Sequence, residues 1–316
     1  MQQLTVERTG SPYFRLALPI LILVFLAPSS THAEDESLAT DEKAIADPIP
    51  AGLLQVLKAP PAAWRSPLLE VYRWNLFPDI LVIDTIDFHL QDRMFTRLAY
   101  FVEKRGFRGK LMTNVQLDGR HGWNAHDYSP DGLASFFNAA SERAFPLNPE
   151  EKDLELLAAK EGILIADKNH FAPGKGGVLA ISRSSSAIER QYLLTHESFH
   201  GIFFSSSEYR EFCFNLWDSL PPNERRFYRS FLDSLGYDSN DRHLAVNEFQ
   251  AYLMQQPLEY ATSYFERFQA RFGKSGALEP TRIVAAARDL DRFLRSRFGV
   301  QAGETVRPVG LGEQRQ

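Results

Sequence analysis

The chain has 316 residues, 44% of them hydrophobic, 24% charged and 12% aromatic. That composition excludes a disordered, collagen-like or many-pass membrane protein and leaves enough length for a sizeable core. A formal net charge of −5 offers no basic stripe for nucleic acid, so no nucleic-acid partner is expected.

The N-terminus reads as a secretory signal. Arg8 and Arg15 precede the apolar run "LALPILILVFLA", and Thr31 and Ala33 stand before an acidic stretch. A basic region, a short apolar core and a small-x-small site predict a signal peptide over 1–33, cut after Ala33, and hence export to a periplasmic or extracellular space. The run is shorter than the roughly 20 apolar residues of a membrane span, so no stable span is expected after cleavage. Residues 34–59 are acidic at their start and rich in small residues, and read as a flexible linker. Cys213 is the only cysteine, which leaves no intramolecular disulfide. It reads as a small core residue.

From Pro60 the chain becomes dense in aromatic and apolar residues. "DILVIDT" (79–85) predicts a strand, and "DFHLQDRMFTRLAYFVEKRG" an amphipathic helix ending at Gly106. The stretch to Gly132 reads mostly as loop, including the cluster His121, Trp123, His126, Asp127 and Tyr128. That cluster lacks metal-ligand spacing and reads as a loop pinned by its aromatics, able to form one wall of a cleft. Ser129 and Pro130 open a helix, "PEEKDLELLAAKEG" is another, and "GILIAD" and "GGVLAIS" predict strands around a Gly/Pro loop that holds His170. Beyond them every segment is helical, from "SSSAIERQYLLTHESFHGIFF", with Ser186 and Glu189 in capping-box spacing, to "TRIVAAARDLDRFLRSRFG". The expectation is one α+β domain over 60–300, its helical part C-terminal, followed by a disordered tail over 301–316.

"LLTHESFHGIFF" (193–204) sets three ionisable groups in an apolar run. On a helix, His196 and His200 fall about 40° apart and one turn along, so both imidazoles can reach one ion. Glu197 lies about 100° from His196, beside the pair. This is the H-E-x-x-H pattern, with two zinc ligands and a glutamate placed to take a proton from water. Single helical histidines are usually core residues with partners, but three ionisable groups buried without compensation cost several kcal/mol.

A catalytic zinc needs a third protein ligand. The extended pattern with glycine and a third histidine fails at Phe203 and Ser206. The better place is "HLAVNEFQAYLMQQ", where Glu248 lies on an apolar face with Ala245 and Ala251 near it. Glu248 paired with Arg242 or Arg229 is the alternative.

With "HESFH" (196–200) and "NEFQA" (247–251), the chain resembles the glutamate-zincins, H-E-x-x-H metallopeptidases whose third ligand is a glutamate on a later helix. The resemblance spans about 80 residues. It implies a zincin-like fold: a small N-terminal sheet with an edge strand, an active-site helix and a mostly helical C-terminal part. It also implies one zinc ion held by His196, His200 and Glu248, with Glu197 as general base. "GGVLAIS" is similar to the edge strand that receives an extended peptide in such enzymes. Two departures stand out. The 47 residues between His200 and Glu248 are more than thermolysin-like members have, and Tyr252 stands where some families place an aspartate that bonds a ligand histidine. His243 and Tyr252, on or beside the Glu248 helix, are candidates for oxyanion or substrate contacts. The function expected is an exported zinc metallopeptidase acting on a peptide or a peptide-containing wall polymer. The reading from another class is a zinc-stabilised, non-catalytic scaffold of the cell envelope.

Overall fold

"ILVI" and "VLAI" are unbroken apolar runs because their strands are covered on both faces. The structure, a computed structural model, describes residues 45–272 and 280–306. The expected signal peptide and the residues from 307 onward lie outside the described residues. The first elements are β1 (Ile49–Ala51), α1 (Leu53–Lys58), β2 (Leu69–Trp74), β3 (Ile80–Thr85), α2 (Phe88–Val102) and α3 (Asn114–Leu117). Next come β4 (Ala125–Tyr128), α4 (Pro130–Glu142), α5 (Pro149–Lys160), β5 (Leu164–Asp167), β6 (His170–Pro173) and β7 (Gly177–Ser182). The rest is helical: α6 (Ala187–Ser205), α7 (Ser207–Ser219), α8 (Pro222–Leu235), α9 (Arg242–Met254), α10 (Leu258–Phe272) and α11 (Pro280–Phe298). The protein is mixed α+β with its helices concentrated C-terminally, as its sequence pattern indicates.

Five strands form one mixed sheet in the order β1-β2-β3-β7-β4. β3 and β7 run parallel, while β4 is antiparallel to β7 and β2 to β3. Alternation along the strands divides the core. Leu81, Ile83, Val178 and Ala180 face α2, α4 and α5, whereas Ile80, Val82, Leu179 and Ile181 face α6 and the helices beyond it. The sheet is thus the middle layer between two helical layers.

Three expectations change here. Residues 49–58, taken as linker, form β1 and α1, and Leu53 and Val56 are buried in the core. The segment after Gly299 is packed as far as it is described: Val300, Ala302 and Thr305 are buried, and Thr305 donates to the Gln191 carbonyl of α6 at 2.7 Å. "GGVLAIS", expected at the edge, lies between β3 and β4, so the edge on that side is β4, with β1 at the other. The stretch that holds β4 reads as loop because four residues are too few for periodicity to show.

α6 is fixed at both ends. The Ser186 hydroxyl accepts from the Glu189 amide at 3.3 Å, and the Glu189 carboxylate accepts from the Ser186 amide at 2.8 Å. One turn further, Arg190 donates both guanidinium nitrogens to Asp84 of β3, each at 2.8 Å. Ser206 ends α6 and caps α7, accepting from the Tyr209 amide at 3.1 Å. Gly201 faces the sheet, where a Cβ would make ordinary contact with Ile80 and Leu179 at 3.4 Å.

Candidate metal centre

α6 brings His196, Glu197 and His200 to the layer between sheet and helices, and all three are buried. α9 packs across α6 and is capped by Asp241, whose carboxylate accepts from the Leu244 amide at 2.9 Å. That crossing sets Glu248, 1% exposed, against both imidazoles. His196 Nε2 and His200 Nε2 are 3.1 Å apart, and Glu248 Oε2 lies 3.5 Å from the first and 3.7 Å from the second. Ligands of one tetrahedral ion at about 2.0–2.1 Å are separated by about 3.3–3.4 Å, so these three atoms fit a single metal ion. Arg242, considered as the alternative partner of Glu248, instead donates to Asp218 at 2.6 Å.

The polar atoms support the same reading. Glu248 Oε2, Glu197 Oε2 and the Nδ1 atoms of both histidines are buried without a hydrogen-bond partner. Such orphans are rare in a folded protein and mark a missing ion or strain. Gln255 lies alongside His196 and Asn247 alongside His200. Burial pushes both imidazoles down to about 4 and pushes Glu248 up to about 8. It raises Glu197 well above the ordinary carboxylate value, and neighbouring Asp127, Glu248 and Glu103 add to that shift. These directions are those of carboxylates short of positive charge. A divalent cation among the donors would supply that charge, and imidazoles this easily kept neutral suit it as ligands.

The structure adds residues that the sequence reading left outside the metal site. β4 brings Asp127 to the α6 side, with Ala125, while His126 and Tyr128 point to the other face and stack on Phe95. The strand, not a loop, forms that wall. Asp127 Oδ2 lies 3.7 Å from His200 Nδ1, and the Glu197 carboxylate adjoins both. Burial raises Asp127 to about 7, against hydrogen bonds from Glu197 and Asn247. Glu103, which ends α2, accepts from the Trp123 indole at 2.8 Å. Lys104 covers Trp123, which stacks on Tyr237 at 4.7 Å. The Glu103 carbonyl accepts from the Asp238 amide at 3.1 Å, so the end of α2 is tied to the turn before α9. The Tyr237 hydroxyl bonds the Glu248 carboxylate and is paired with the Tyr252 hydroxyl. Nothing local marked β4, Glu103 or Tyr237.

The two low-specificity candidates separate. Tyr252 lies over His196, ring centroids 4.5 Å apart. His243 instead sits edge-on to Phe203 at 5.2 Å, and its charged neighbours are Asp241, Arg210 and Asp131. The structure does not bring it to the donor cluster, because it lies on the first turn of α9 and Glu248 more than a turn beyond. His121, expected to carry no metal, pairs with Asp92 at 2.7 Å. Compared with known protein families, curated proteins and solved structures, the chain matches none.

Proposed function

We propose that this chain is an exported zinc metallopeptidase of the zincin type, acting on a peptide or a peptide-containing wall polymer. The observation that carries the reading is the His196–His200–Glu248 donor triangle with Glu197 buried beside it. A structural zinc site has no use for the fourth group, whereas hydrolysis does.

His196, His200 and Glu248 hold the ion. Zinc bound there lowers the pKa of water and polarises a carbonyl. Glu197 takes the proton of the attacking water and delivers it to the leaving amine. Tyr237 orients Glu248 through its hydroxyl, and Tyr252 packs on His196. β4 is the terminal strand beside α6, and an extended peptide added to it lies along the cluster. Export follows from the expected signal peptide. Among the described residues no helix is long and apolar enough to cross a membrane.

The test compares wild type with Glu197→Gln for zinc content and for hydrolysis of a peptide library. Both should hold one zinc, and the variant should lose at least about 100-fold in rate. If both bind zinc and neither cleaves any peptide, the peptidase reading fails and the scaffold reading stands.

A further inference from the structure

A histidine that ligates through Nε2 carries its proton on Nδ1, and that proton needs an acceptor. Metal-ligating histidines almost always donate it to a carboxylate, a carbonyl or water. His200 is wholly buried and its Nδ1 has no hydrogen bond. The carboxylate facing it is Asp127, with Oδ2 at 3.7 Å and a side chain only 12% exposed. Asp127 is held in turn. Asn247, the residue before Glu248, bonds its carboxylate. The Asn247 carbonyl accepts from Gln250 at 2.9 Å, and Gln250 accepts from the Tyr209 hydroxyl at 2.8 Å. The other side of Asp127 meets Glu197.

We infer that Asp127, on the edge strand, is a positioning residue that fixes the tautomer and orientation of His200. The inference rests on the zinc reading of the donor triangle. Position 252, one turn after Glu248, holds a tyrosine packed on His196, so the carboxylate for a ligand histidine comes from the sheet. Asp127 thereby joins the strand proposed to receive substrate to the helix that holds the ion. A shift of the strand in the β4–β7 register would disturb the metal site as well as the peptide-binding edge.

The test measures three quantities on wild type, Asp127→Ala and Asp127→Asn: zinc affinity by chelator competition, melting temperature without metal, and the His200 Nδ1–H signal of the zinc-loaded protein by NMR. Asp127→Ala should lose about 10–100-fold in zinc affinity and the protected His200 signal. Its metal-free melting temperature should stay level or rise, because one of four buried acids has gone. Asp127→Asn should recover part of both losses, since its amide oxygen can accept the same bond. Unchanged zinc affinity in Asp127→Ala overturns the inference. So does a parallel fall of affinity and metal-free stability with the His200 signal intact, which marks a merely structural residue. His200→Ala separates this from the parent reading. If wild type binds no zinc, or His200→Ala binds it as well as wild type, the zinc site itself is wrong. If only the Asp127 variants bind normally, the zinc site stands without Asp127.

Discussion

Glu248 is the residue on which the site closes, and its geometry is set by one hydroxyl. The Tyr237 hydroxyl lies at the Glu248 carboxylate and favours its charged form. Tyr237→Phe should therefore weaken zinc binding by about 10-fold or more with little loss of fold, read by chelator competition beside the melting temperature. A second residue-scale expectation concerns pH. Burial lowers the His121 pKa, but its bond to Asp92 outweighs that, and the net shift is upward. A raised histidine stabilises the fold fully below its unfolded value near 6.5 and ceases to do so as pH rises through the folded value. Asp92→Asn should flatten that part of the melting-temperature profile above pH 6; an unchanged profile removes the pair from the pH response. At this scale the sequence was informative where chemistry is local. His196 and His200 declare themselves by sitting one helical turn apart, and Glu248 by being an acid on an apolar face. Asp127 could not be found that way, because its meaning depends on a strand pairing across some 50 residues.

Among the elements, β7 was expected at an edge and lies inside the sheet. As an unbroken apolar strand it fits an interior position better than an edge, and two glycines let it enter. Gly176 has φ +81°, and a side chain there would overlap the Asp79 carbonyl at 1.7 Å. At Gly177 a Cβ would lie 2.8 Å from the Tyr128 carbonyl of β4. Gly176→Ala should cost at least about 2 kcal/mol of stability in urea unfolding, from strain and overlap together. A cost under about 0.5 kcal/mol would mean that the turn does not need this conformation. The helices were legible as a class because their apolar spacing repeats over several turns. β1, β4 and β6, of three to four residues each, carry too little pattern to read. Short strands gain their structure from neighbours, here β2, β7 and β5.

At the scale of the molecule, the sheet and the helical layer meet along α6, and the cluster lies on that seam. Asp84, Arg183 and Arg190 lock one end of the seam, with Arg183 2.6 Å from Asp84. Thr305 ties the described end of the chain to Gln191 and Thr195 on the same helix. An ion bound to His196, His200 and Glu248 would join α6 to α9 and link binding to folding, so that zinc at 100 times its dissociation constant would add about 2.7 kcal/mol to stability. The most direct measurement is the metal content of the purified protein together with its melting temperature before and after chelation. The account predicts one zinc per chain, a clear fall in melting temperature on chelation, and loss of both effects in His196→Ala and Glu248→Ala. A chain that carries no metal and melts at the same temperature with or without zinc would contradict it.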